Sequence, residues 1–222
     1  MGNRLTKGIG LFGHLFTRKL RFDTNNADEV SAEGQISWNS PYGTFEGYLD
    51  GTQPTATILH FGQDVFYYVK ADEALTRGEV VYTSGTEGAS GHILARKFLA
   101  DGTYPSKDIL GIVQQTVTQG EFVHVLHFGE MMNFNTSDFN EGDTLFASTS
   151  TAGGLQNTVP QSPNNIVTVA RALNKKNNGT LNVRLTFGPK LSENEEILIT
   201  NPQDGDVLTY EAATGLWKNQ AP

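Results

Sequence analysis

The chain has 222 residues, 37% of them apolar, with 24 glycines, no cysteine and a formal charge of −8. That length buries most of the unfolded surface without staples, and the lack of cysteine excludes disulfides, thiolate metal ligands and a thiol nucleophile. No apolar run approaches the roughly 18 residues of a spanning helix, and Gly8, Gly10, Gly13 and His14 interrupt any signal core, so the expectation is a soluble, cytoplasmically made protein with no membrane contact.

Residues 1–30 read as an extended arm. Within the first 22, Arg4, Lys7, Arg18, Lys19 and Arg21 stand with no acid, whereas the remainder carries 11 basic and 24 acidic side chains. A basic arm on an acidic body predicts an interaction tail. Five charges make a weak footprint for nucleic acid, so an acidic protein surface is the better match. Leu11, Phe12, Leu15 and Phe16 add apolar anchors, and Gly10 and Gly13 disfavour a stable helix among them. The letters of "GIGLFG" at 8–13 fit a dinucleotide fingerprint. Its required strand before and βαβ unit after are missing, so no phosphate site is expected.

Residues 31–62 predict a small β-meander. "GQISWNSPYGTFEGYL" alternates on both sides of a turn from Asn39 to Gly43, and Asp50-Gly51 signals a tight turn. Residues 63–190 predict the main domain, a β-sandwich or barrel, from the runs "VFYYVKA", "EVVYTSG", "HILARKF" and "EFVHVLHFG" with turn signals between them. "SKDILGIVQQT" reads as containing a short turn of helix. "DTLFAST", "IVTVARAL" and "TLNVRLTFG" complete the strand set, the last two joined across "NKKNNG", where Asn178-Gly179 would supply positive φ angles. Residues 191–222 predict a polar linker and a closing hairpin, "DGDVLTYEAATGLWKN". The fold class is therefore all-β, with small flanking hairpins around one larger domain.

The two flanking units match each other. Trp38, Gly43 and Phe45 share the spacing of Tyr210, Gly215 and Trp217, and Ile36 corresponds to Leu208. An isolated two-stranded hairpin is marginal in water. Covering one aromatic side chain is worth about 1.5–3 kcal/mol, and copies of the chain are the natural cover. Trp38, Phe45, Tyr210 and Trp217 are accordingly expected at contacts of a homo-oligomer, with three copies around an axis as the simplest arrangement.

Catalytic constellations are weak. His124 and His127 lie three apart in a strand-like run, which points them to opposite faces and disfavours a shared metal. Neither G-x-S-x-G nor H-E-x-x-H occurs, and Glu195-Glu196 sits in a polar stretch that reads as solvated charge. No enzyme, no cofactor and no metal are expected. Tyr42, Tyr104 and Trp217 are candidates for stacking on carbohydrate, against the commoner fate of large aromatics as core or contact residues.

The middle of the chain resembles virion appendage proteins of tailed bacteriophages, including tail fibres. The pieces that carry the resemblance are Gly62-Gln63, Tyr67 to Lys70, Gly78 to Val81 and "ILGIVQQTVTQGEFVHVLHFG", followed by "FNEGDTLFASTSTAGGLQNTVPQSPN" and "NNGTLNVRLTFG". Order and spacing hold from about residue 34 to 188; Ile112, Gln114 and Phe139 depart from the usual residues. The resemblance implies a non-catalytic, trimeric structural protein of the virion. Its role would be a tail fibre or tail-fibre adaptor first, and a head fibre or capsid decoration protein next. Its partners would be copies of itself and another virion protein of the tail, the portal region or the capsid. In that setting the docking residues would be Leu11, Phe12, Leu15, Phe16, Arg18, Lys19 and Arg21. A carbohydrate-binding receptor module contacting host-surface polysaccharide is the alternative, and a polysaccharide depolymerase the remote third.

Overall fold

The computed structural model describes residues 33–51, 55–188, 191 and 194–222. The proposed docking residues Leu11, Phe12, Leu15, Phe16, Arg18, Lys19 and Arg21 lie outside them. The architecture is all-β: helical residues are few, chiefly the 3-10 turn Ser106–Asp108, and none of the helices among the described residues is long and apolar enough to cross a membrane.

An N-terminal antiparallel sheet comprises β1 (Ile36–Asn39), β2 (Thr44–Asp50) and β3 (Thr57–His60). The main body follows with β4 (Val65–Ala71), β5 (Val80–Glu87), β6 (His92–Lys97), β7 (Ile109–Val113) and β8 (Phe122–Phe134). These five close into a barrel in the order β8-β4-β6-β5-β7 and back to β8. The closing seam pairs Ile112 with Leu126 and Val113 with Val125. One junction is parallel, with Lys70 opposite Leu94 in β4 and β6. The second half of β8 leaves the barrel and pairs with β12 (Gly179–Phe187), which continues through β11 (Val167–Ala172) and β9 (Thr144–Ala147) to β10 (Leu155–Gln156). A second three-stranded sheet ends the described chain: β13 (Ile197–Leu198), β14 (Val207–Glu211) and β15 (Leu216–Gln220).

Two cores result. Small side chains fill the narrow barrel, among them Val69, Ala71, Val81, Ala95, Val113 and Val125. Larger ones fill the space between the outer wall of β5, β7 and β8 and the strands β12, β11 and β9, including Tyr82, Phe98, Ile112, Leu126, Met131 and Leu181. Strand β7 is buried on both faces along its length, which is why "ILGIV" shows no alternation.

The sequence-based reading needs three local corrections. The short turn of helix expected within 106–116 is present as the 3-10 turn Ser106–Asp108, but the rest of that stretch, Ile109–Val113, is a strand that was not expected, the buried one that seals the barrel. Asp50-Gly51 does not make a two-residue hairpin; Gly51 has φ +82°, but β3 begins only at Thr57. Gly179 does not have positive φ. The turn before β12 is held by Leu173 N–H to Thr180 O at 2.9 Å and Thr180 N–H to Asn174 Oδ1 at 3.0 Å. Glycine is needed there for space, because a Cβ would stand 1.9 Å from Thr136 Oγ1.

Candidate functional site

The N-terminal sheet has the reverse of the usual polarity. Its register pairs Ile36 with Gly47, Trp38 with Phe45 and Gly47 with Leu59 on one face. On the other it pairs Ser37 with Glu46, Asn39 with Thr44 and Glu46 with His60. A sheet with one solvated face normally turns its apolar side inward. Here Ile36 is 52% exposed and Phe45 37%, while Glu46 is 8% exposed and His60 1%. The Trp38 and Phe45 rings meet edge to face at 5.1 Å. Phe61, 44% exposed, extends the same face by lying over Gly47, where a Cβ would meet its ring at 3.4 Å.

The inward face is joined to the body through polar contacts in two places. At the first, His60 Nδ1 and Asp64 Oδ2 are 2.6 Å apart, and the His60 backbone N–H donates to the same oxygen at 2.7 Å. The other Asp64 oxygen accepts the Glu130 N–H of β8 at 3.2 Å. This approach requires Gly129, since a Cβ there would stand 2.0 Å from Asp64 Oδ1. Tyr42 lays its ring on His60 at 4.6 Å and donates its hydroxyl to Glu130 Oε2 at 3.1 Å; burial first, and then the Glu130 charge, push its pKa up. Within the sheet, Glu46 accepts from Ser37 Oγ at 3.1 Å, Asn39 Nδ2 at 2.7 Å and the Tyr48 hydroxyl at 3.0 Å. At the second place Asp50 accepts from the Gln115 side chain and meets His124 Nδ1 at 2.8 Å. Burial alone would raise the Asp50 pKa, but His124, Thr57 and Gln115 outweigh it and hold the carboxyl below its usual value.

The C-terminal sheet carries a matching aromatic pair, although its other face is exposed as well, through Val207 and Leu198. Tyr210 is paired with Trp217, their rings 5.5 Å apart, and they are 53% and 44% exposed. Leu208 is exposed on the same side. Both hairpin turns end on a left-handed glycine, Gly43 at φ +64° and Gly215 at φ +72°. The matched spacing in the sequence is therefore a matched structure, with one addition: each hairpin gains a third strand, and β13 joins β15 in parallel through Ile197 opposite Trp217.

The four expected contact residues thus form two outward aromatic pairs, Trp38 with Phe45 and Tyr210 with Trp217. Of the three candidate sugar contacts, Trp217 stays exposed at 44%, while Tyr42 and Tyr104 are occupied internally. Tyr42 belongs to the polar junction, and Tyr104 stacks on core Tyr82 at 4.3 Å. Burial and the Tyr104 hydrogen bond push the Tyr82 pKa up to about 12. His124 and His127 do point apart on β8: His124 faces Asp50, and His127 Nδ1 contacts Leu110 O at 2.8 Å. Among the described residues no three His, Cys, Asp or Glu side chains converge as a metal site.

Two features were not read from the sequence. One is the polar junction, because Asp64 and Glu130 are 66 residues apart and only His60-x-x-x-Asp64 is local. The other is a row of rings on the outer barrel wall, with His92 against Phe122 at 4.8 Å, Phe122 against Tyr68 at 5.2 Å and Tyr68 against His124 at 4.7 Å.

No family model matches the chain, and no curated protein matches it. Among solved structures, the chain is similar to the N-terminal base of head fibre gp8.5 of bacteriophage phi29, with 18% identity and a TM-score of 0.35 over 54% of this chain and 93% of that one.

Proposed function

We propose that the protein is a non-catalytic structural subunit of a tailed-bacteriophage virion appendage that works as a homotrimer. The observation that carries the assembly is the inverted N-terminal sheet, with Ile36, Trp38, Phe45 and Phe61 turned outward while Glu46 and His60 are buried. Contiguous exposed apolar surface marks contact sites. The body outside the first 22 residues is strongly acidic, with 24 acids against 11 bases, so copies repel everywhere except at uncharged patches. The outward faces of the two small sheets are such patches. A virion setting is supported by the serial resemblance of residues 34–188 to phage appendage proteins; a tail fibre or adaptor is the first reading, and a head fibre or capsid decoration protein the second.

In this reading residues 1–30 dock on another virion protein, with Arg18, Lys19 and Arg21 against an acidic surface and Leu11, Phe12, Leu15 and Phe16 in its grooves. Chain lacking residues 1–25 is expected to purify as the same multimer as the full chain and to be absent from assembled particles, measured by immunoblot of purified virions. Normal incorporation of the truncated chain would remove the arm from the docking role.

A further inference from the structure

We propose that the N-terminal sheet is an ionisable clip: His60 holds three carboxylates together between this sheet and the barrel, and loss of its proton releases the sheet while the barrel stays folded. The geometry points there because no continuous apolar layer ties the sheet to the body. Its inward face carries Ser37, Asn39, Thr44, Glu46 and His60, with Tyr48 opposite Ile58 as its apolar part, and its described side-chain bonds to the barrel strands run through Tyr42, Asp50 and the buried His60–Asp64 pair. Releasing such a face exposes groups that water solvates well, whereas opening the barrel would expose its Val and Ala interior.

The charges around His60 come from each element packed on it. Glu46 comes from β2, Asp64 from the turn after β3 and Glu130 from β8; Tyr42 covers the ring from the β1–β2 turn. Among the described residues no lysine or arginine forms an ion pair with these three carboxylates; the paired cations serve Glu87, Asp72, Glu79 and Glu211 instead. The His60 ring is anchored through Nδ1 alone, since its buried Nε2 has no partner among the described residues. A charged imidazole is therefore the cluster's cation. A neutral one leaves Asp64 beside an uncharged ring and no longer offsets the nearby charges of Glu46 and Glu130.

Burial by itself pulls the His60 pKa down, but the Asp64 bond and the charges of Asp64, Glu46 and Glu130 more than offset it and hold it above the ordinary value of 6.5. A raised folded-state pKa contributes stability fully present below the unfolded value and lost as pH rises through the folded value. The clip is thus closed in mildly acidic solution and loosens on the alkaline side of 6.5. Asp50 sets the other limit: its lowered pKa contributes stability present above the ordinary 3.8 and lost as pH falls through the folded value.

The test is hydrogen exchange of the full-length protein from pH 5 to 9, corrected for intrinsic rates, comparing peptides from β1–β3 with peptides from the barrel strands β5–β7. The opening constant of β1–β3 should rise by up to about ten-fold per pH unit above 6.5 and level off above the folded-state value, one proton being released, while β5–β7 stays level. His60→Gln should flatten that rise, and Glu130→Gln, which keeps an acceptor for Tyr42 and removes one charge, should make it shallower. Parallel behaviour of the two regions would overturn the clip. So would an unchanged slope in both variants.

Discussion

Gly111→Ala is expected to destabilise the protein by about 3 kcal/mol, a fall of roughly 6–12 °C in thermal midpoint for a chain of this size. Gly111 lies in β7 at the seam that closes the barrel, with φ +150°. A Cβ there would stand 2.1 Å from the Leu126 carbonyl oxygen and 2.7 Å from its carbon. Both are backbone atoms of β8 and cannot swing aside without opening the pairing of Ile112 with Leu126. Gly85 provides the control: it has φ +142°, and no atom lies within 4 Å of its Cβ position. Gly85→Ala therefore carries the conformational strain without the clash, at a cost of about 1 kcal/mol. Thermal unfolding followed by circular dichroism separates the two. Equal losses would mean that the seam tolerates a methyl group and that β7 and β8 are not closely apposed.

The second large effect concerns association. In the proposed trimer, Phe45→Ser combined with Trp217→Ser should weaken self-association by about 10²–10⁴-fold, from about 1.5–3 kcal/mol lost per aromatic side chain. At micromolar concentration, light scattering should then read the mass of one chain where the natural sequence gives a multiple of it. Both residues are substantially exposed, at 37% and 44%, so each chain should keep its thermal midpoint at matched dilution once association is removed. A single-chain mass for the natural sequence at high concentration would refute assembly through these faces, as would an unchanged multimer in the double variant. The alkaline release of the N-terminal sheet adds a distinction: an assembly that depends on Trp38 and Phe45 being held flat should loosen together with β1–β3.

Much of the strand inventory was legible. β4, β5, β6, β9, β11 and β12 fall within one or two residues of runs rich in β-branched and aromatic residues, because such side chains declare a pleated, half-buried surface locally. The likeness of the two hairpins was legible as well, since a left-handed glycine two residues before an aromatic is a local backbone requirement. β7 was not, because burial on both faces erases the alternation that would identify it. The reversed polarity of β1–β3 was only half legible: the alternation of Ile36, Ser37, Trp38 and Asn39 announces two faces without saying which one meets the body.

The sequence by itself determined that this is a β protein with a main domain between two aromatic hairpins, and that its charge is split between a basic first segment and an acidic remainder. Those properties depend on spacing along the chain, on turn chemistry and on composition, all of which are local. Only the tertiary structure decided that five strands close into a barrel, that Asp64 reaches Glu130 across 66 residues, and that the small N-terminal sheet faces its charges inward and its aromatics out. These are outcomes of which distant surfaces meet, and pairing over long separations is set by the free energy of the whole packed arrangement, not by the preference of any one segment.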